Sequence, residues 1–211
     1  MTPAQFASEM NRLGQNVSRE TFSRLEIYDA LLRKWQARIN LVAKDSLQDL
    51  WRRHFLDSAQ LLPLLPPGND PVTDLGSGAG FPGLVLAIMT ERLVHLVDSD
   101  QRKSAFLLEC ARQTGVLPRV KIHTTRIEAA AAWKAPIVTA RALASLDQLL
   151  AWAEPYLTPE TVCLFPKGAK AEDELTGAGS SWNMTTTRHR SLTDSSGVIL
   201  RLSNIQRRGS R

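Results

Sequence analysis

Apolar and polar residues follow one another along this chain with two different periods. From Ser18 to Asn40 the apolar positions Leu25, Tyr28, Leu32, Trp35 and Ile39 step by three and four, which lays one stripe on one face of a helix. Ser18 offers an oxygen to its first turn. A second helix is expected over Ser46–Leu62, where Leu47, Leu50, His54, Ser58 and Leu61 share a face, and Asp45 and Gln48 have capping-box spacing. Leu-Pro-Pro-Gly at 65–68 then breaks the chain. After Pro71 short apolar runs alternate with helical stretches. Strands are expected at Val72–Leu75, Leu93–Val97, Val120–Thr124, Ile137–Ala140 and Thr161–Phe165. Helices are expected at Phe81–Thr90, Gln101–Thr114 and Ser145–Ala153, and Trp182–Thr187 with Val198–Leu202 suits a terminal hairpin. Repeated strand–helix units predict an α/β chain with a Rossmann-like, doubly wound, mostly parallel sheet over 69–211, preceded by a helical extension over 1–68.

Composition narrows the classes. The chain has 211 residues, 43% of them apolar, enough for a sizeable core. No run approaches the roughly 18 apolar residues of a membrane span. The opening MTPAQFASEM has neither a cationic start nor an apolar stretch, so no secretory leader is expected and a cytoplasmic location is. Cys110 and Cys163 sit in apolar runs and read as reduced core residues. His54, His95, His123 and His189 are scattered, so no metal site is expected. The net charge of +5 points to a polyanionic partner. From Thr185 onward Arg188, Arg190, Arg201, Arg207, Arg208 and Arg211 face one acid, Asp194.

The strongest chemical feature is Asp74-Leu-Gly-Ser-Gly-Ala-Gly-Phe-Pro-Gly83, which follows the first expected strand and opens the next helix. Gly76, Gly78 and Gly80 allow backbone torsions and close approach that a Cβ would block. Asp98 ends the second strand, 22 residues after Gly76, where a carboxylate can accept bonds from both ribose hydroxyls. Gly78, Gly80 and Gly83 also fit the dinucleotide pattern. Asp74 argues against that ligand by placing an anion near a pyrophosphate, whereas S-adenosylmethionine carries a cationic sulfonium and amine. An NAD-dependent oxidoreductase and a non-catalytic RNA-binding module remain the alternatives.

Methyl transfer is an in-line displacement, so the acceptor sets what else is needed. Exocyclic amines usually require an Asn/Asp-Pro-Pro-aromatic loop after the fourth strand, and Thr139-Ala-Arg-Ala142 stands there instead. Cytosine C5 requires a nucleophilic cysteine, commonly after proline; neither cysteine follows one. Guanine N7 has a free lone pair and needs no base. Arg126, Arg141 and Lys167 follow the third, fourth and fifth strands, where cations suit phosphate contacts on the acceptor side.

These segments, together with Asn40-Leu-Val-Ala, Arg53-His54-Phe-Leu-Asp57-Ser58, Leu96-Val-Asp98-Ser, Arg102-Lys103-x-x-Phe106-Leu, Arg126-Ile-Glu128, Arg141-Ala-x-Ala-Ser145-Leu and Pro166-Lys167-Gly168, resemble the bacterial small-subunit ribosomal RNA guanine-N7 methyltransferases, the glucose-inhibited division protein B family. Order and spacing agree from roughly residue 20 to roughly residue 180. The resemblance implies that Gly76, Phe81, Ile127, Glu128 and Arg141 contact S-adenosylmethionine, with Asp98 at the ribose and His54 and Asp57 in the pocket wall. It implies a guanosine in the decoding-region loop of 16S ribosomal RNA as acceptor. Small-subunit rRNA or the 30S particle is then the partner of a monomeric, non-membrane enzyme. The stretch after about Gly177 carries no motif of the family, and is expected as an edge hairpin or a partly loose segment.

Overall fold

The computed structural model describes residues 1–131 and 133–209. Five apolar runs form a parallel array: β1 (Val72–Leu75), β2 (Val94–Asp98), β3 (Val120–Thr124), β4 (Ile137–Thr139) and β5 (Val162–Lys167). The terminal hairpin is present and longer than its apolar pattern suggested, as β6 (Trp182–Arg190) and β7 (Val198–Arg207). β7 lies antiparallel beside β5, which gives the order β3-β2-β1-β4-β5-β7-β6. The fold class is thus the expected one. β1 pairs with both β2 and β4, so the winding reverses at β1 and a crevice opens beyond the carboxyl ends of β1 and β4.

The helices are α1 (Pro3–Arg12), α2 (Arg19–Gln36), α3 (Asp57–Ala59), α4 (Gly83–Met89), α5 (Gln101–Gln113), α6 (Leu146–Ala153) and α7 (Ala171–Ala178). Alternate strand residues face opposite sides of the sheet. Val94 and Leu96 therefore enter a core beneath α1, α2, α4 and α5, while Val97 enters another beneath α6 and α7. Cys110 and Cys163 are buried and free, one in each core.

Two helices were not anticipated. α1 is started by Thr2 and Gln5, which exchange backbone and side-chain hydrogen bonds, and by Pro3 at its first position. α7 opens on Glu172, Asp173 and Glu174, acids that suit a helix start. The helix expected over Ser46–Leu62 is instead composite. A 3-10 turn spans Lys44–Asp49, a π-helical turn spans Trp51–Leu56, and α3 follows. Asp45 and Gln48 form no capping box, and the Ser46 hydroxyl donates to Ala43 O at 2.7 Å. α4 likewise starts at Gly83 rather than Phe81, because residues 76–82 are used by the turn after β1.

The N-terminal helices share the core of the sheet. Tyr28 of α2 stacks on Phe81 (ring centroids 5.1 Å apart) and meets Phe55 edge-on. Its hydroxyl donates to the carbonyl of Ala79 inside the glycine turn. Burial pushes the Tyr28 pKa well above the usual phenol value, so the proton stays available for that bond. Gly80, at φ +95°, faces Tyr28: a Cβ there would stand 2.6 Å from the hydroxyl.

Tyr28→Phe leaves the Ala79 carbonyl buried without that donor. Urea denaturation should show a loss of about 1–3 kcal/mol at an unchanged m-value; an unaltered midpoint would show that the hydroxyl does not hold the turn.

Candidate functional site

A cleft of about 660 Å³ lies at the winding reversal, well within the range of small-molecule sites. One side is the turn after β1. Gly76, Gly78 and Phe81 line it, and Asp98 from the end of β2 lies against it. Gly78 N–H donates to Asp98 Oδ2 at 2.7 Å, and Asp100 N–H donates to Oδ1 at 2.9 Å. Each carboxylate oxygen keeps acceptor capacity for a further donor. The expected pairing of glycine turn and downstream acid is therefore present as a direct contact.

Asp74 stands differently. It is fully buried and does not line the cleft. Oδ1 accepts from Thr139 of β4 at 2.8 Å, and Oδ2 accepts from Gly83 N–H at 3.2 Å. A Cβ on Gly83 would stand 2.7 Å from that oxygen and 2.4 Å from Leu96, so only glycine fits there. Burial raises the Asp74 pKa from 3.8 to about 6 against the opposing pull of Thr139, Ser77, Gly83 and Arg141. An anion facing a pyrophosphate, the argument against a dinucleotide, thus has no counterpart in the geometry. Gly80 also turns away from the cleft, towards Tyr28.

Opposite the glycine turn, the composite helix and the loop after β4 converge on Arg141. Its guanidinium lies over the Phe81 ring, 5.1 Å from the centroid. Nη1 donates to Asp57 Oδ2 and to Arg53 O, both at 3.0 Å. The side chains of this ion pair are 17% and 16% exposed, so water screens it far less than a surface pair. The π turn makes the Arg53 contact possible: Asp57 N–H turns back to Arg52 O, and the Arg53 carbonyl, its partner in an α-helix, accepts from Arg141.

Arg141 Nη2 also lies 2.7 Å from His54 Nδ1, and His54 Nε2 lies 2.8 Å from Ser46 Oγ. A guanidinium only donates, so Nδ1 must be the bare nitrogen and Nε2 must carry the proton. Ser46 accepts it and passes its own proton to Ala43 O. Burial, then the charges of Arg141 and Arg53, lower the His54 pKa to about 3, so the ring is neutral across physiological pH. His54 and Asp57 both line the cleft, and each is bound to Arg141.

Lys167 lines the cleft but is not a free cation. It pairs with Glu174 at 2.8 Å and donates to Ala144 O at 2.7 Å, with a side chain 8% exposed. Arg126 and Glu128 are exposed and Ile127 is buried, and none of the three lines the cleft. Their turn begins beside Asp98, whose carbonyl accepts Thr125 N–H at 3.1 Å. The basic tail is largely committed as well. Arg188 pairs with Glu172, Arg207 pairs with Glu154 over the Trp182 ring, and Arg201 and Arg208 bind carbonyls. Arg190 is exposed, and Arg211 lies outside the described residues. Sequence reasoning missed Thr193 and Asp194, which line the cleft from the loop between β6 and β7. No motif marked them, because that loop reaches the cleft only through the fold of the hairpin.

The raised pKa of Asp74 has a thermodynamic signature. The folded protein holds this proton longer than the unfolded chain, so its penalty is absent below about pH 4 and complete above about pH 6. The stability of the unaltered protein relative to Asp74→Asn should therefore fall by on the order of 3 kcal/mol across that window. Chemical unfolding of both proteins at several pH values measures it, and a flat difference would mean an ordinary carboxyl.

The family model described as rRNA small subunit methyltransferase G matches residues 21–202. The ribosomal RNA small subunit methyltransferase G of Rhodospirillum centenum is 56% identical over 193 residues, which cover 92% of this chain and 88% of that protein. Its counterpart in Rhodospirillum rubrum is 53% identical over 207 residues, covering 98% and 100%. Among solved structures, a TehB-like SAM-dependent methyltransferase from Corynebacterium glutamicum aligns with a TM-score of 0.56 at 15% identity, over 84% of this chain and 97% of that one. The glycopeptide N-methyltransferase MtfA complexed with sinefungin aligns with a TM-score of 0.59 at 12% identity, over 71% and 93%. At such identities the structures establish the Rossmann-like methyltransferase fold alone. The family match runs past Gly177 and into β7, over most of the stretch whose sequence carried no motif. Matched span and relatives agree: the chain belongs to the rRNA small subunit methyltransferase G family.

Proposed function

We propose that this protein transfers the methyl group of S-adenosylmethionine to N7 of a guanosine in the decoding-region loop of 16S ribosomal RNA. The observation that carries the reading is the Asp98 carboxylate, pinned by Gly78 N–H at the floor of the cleft with acceptor capacity to spare. When bound, S-adenosylmethionine supplies an electrophilic methyl group on a cationic sulfonium. Asp98 would hold its ribose hydroxyls. Gly76 and Gly78 admit it close to the backbone, and the turn at Ile127–Glu128, which follows Thr125 beside Asp98, would contact it from outside the cleft lining. Phe81 closes the turn side, and Arg141, over its ring, forms the opposite wall with N–H donors beyond those taken by Arg53, Asp57 and His54.

The choice of N7 is supported by the state of the other titratable groups around the cleft, Asp98 being assigned to the ribose. His54 Nδ1 is held by Arg141. Asp57 binds Arg141, Gln60 and Thr193, and Glu174 binds Lys167 and Leu146 N–H. Asp194 is kept acidic by hydrogen bonds from Ser196, which makes it a weak proton acceptor. A site whose one available carboxylate is engaged by the cofactor ribose suits an acceptor that loses no proton. The net charge of +5, with the exposed cleft residue Arg53, suits an RNA substrate.

No helix of the described residues is long and apolar enough to cross a membrane. Large apolar side chains are exposed only at Leu108, Leu117 and Leu192 among the described residues, in keeping with a monomer. We place the enzyme in the cytoplasm, acting on rRNA or on the 30S particle.

Labelled S-adenosylmethionine and small-subunit rRNA from a strain lacking the activity should yield 7-methylguanosine on nucleoside analysis. Label at another nucleoside, or none on RNA, rejects the reading. Asp98→Asn should weaken S-adenosylhomocysteine binding by about tenfold or more in calorimetry, because ribose bonds to a charged acceptor are lost. Unchanged affinity would remove Asp98 from the cofactor site.

A further inference from the structure

The loop at residues 191–197, between β6 and β7, is fastened to the segment that carries Arg53, His54 and Asp57. Arg52 donates to Leu192 O at 3.0 Å, and Leu192 N–H donates to Gln60 Oε1 at 2.8 Å. The Thr193 hydroxyl and Gln60 Nε2 both donate to Asp57 Oδ1, while Asp57 Oδ2 accepts from Arg141. Thr193 is buried and lines the cleft.

We infer that Thr193 is a positioning residue for Arg141, acting through the carboxylate of Asp57. The inference rests on the methyltransferase reading above. The terminal torsion of an aspartate is broad and roughly two-fold, so its rotamer alone does not decide which oxygen faces a partner. Two donors on Oδ1 remove that freedom and leave Oδ2 aimed at the guanidinium. Thr193 is suited to this: its branched Cβ stiffens χ1, and Ser191 Oγ lies 3.0 Å from its hydroxyl. The loop that forms the outer wall of the cleft thereby sets the orientation of the cation on the inner wall. Deformation of residues 191–197 by a docking RNA strand would reach Arg141 through one carboxylate, without passing through the sheet.

The test uses Thr193→Val, which keeps the shape and removes the donor, and Thr193→Ser, which restores it. Thr193→Ala serves as the deletion without a second methyl. The first readout is the rotation rate of the Arg141 guanidinium, by nitrogen NMR of the cofactor-free protein. Rotation should quicken in the Val and Ala variants and match the unaltered protein in the Ser variant. The second is steady-state methyl transfer to rRNA, where kcat should fall about tenfold in Thr193→Val with the cofactor KM little changed, a loss typical of one hydrogen bond to a charged group. On an Arg141→Lys background the same change should cost nothing further. An unaltered guanidinium in both deletions, a Ser variant as impaired as Val, or an equal loss on the Arg141→Lys background overturns the inference. If the unaltered protein methylates no RNA, the enzyme reading fails by itself, and the guanidinium spectra decide the role of Thr193.

Discussion

One buried carboxylate ties the architecture together. Asp74 joins β1 to β4 through Thr139 and to the start of α4 through Gly83, at the point where the sheet reverses its winding. Burying an ionisable group without a cation is costly, and its raised pKa records that cost. What it secures is geometric. Both oxygens bind protein donors and are sealed from the cleft by burial, and the turn beside them leaves Gly76 and Gly78 open to it. The acid in the sequence motif therefore supports the site from beneath, and Asp98 is the carboxylate that remains available to a ligand.

Around that fixed turn the rest of the cleft is assembled from distant segments. α2 presses Tyr28 against Phe81 and Ala79 on one side. On the other, the composite helix presents Arg53, His54 and Asp57 to Arg141. The local irregularity and the cluster are two aspects of one arrangement. A regular α-helix would have used the Arg53 carbonyl internally, whereas the wider turn leaves it for a tertiary partner. A single cation satisfies a carbonyl, a carboxylate and an imidazole, and in doing so keeps the imidazole neutral.

The sequence told the sheet and the cofactor cleft more readily than the polar wall. The β1–turn–α4 unit, the β2 acid and the parallel, doubly wound character of the sheet follow from local periodicity and from the rule for right-handed crossovers, whereas the strand order does not. The Arg141 cluster was partly visible, because Arg53-His54-x-x-Asp57-Ser58 is a compact motif, but its contacts were not. They depend on a π turn that no local propensity signals. Lys167 was read as a free phosphate ligand because Glu174, its neutralising partner, lies in a helix that was not anticipated. The excess of C-terminal arginines over acids in the sequence is likewise offset in the fold, because Glu172 and Glu154, which pair two of them, come from earlier segments. Position at a strand end places a cation near a crevice, and only the fold shows whether it is already neutralised.

The fastening of Leu192 to Gln60 joins residues 132 positions apart. Such contacts are among the last to gain from chain collapse, since the loop they close carries a large entropic cost. The outer rim of the cleft therefore depends on long-range closure of the chain rather than on local structure. The glycine turn meets its carboxylate only 20 positions along the chain, so the floor and the rim of one cleft draw on very different ranges of the sequence.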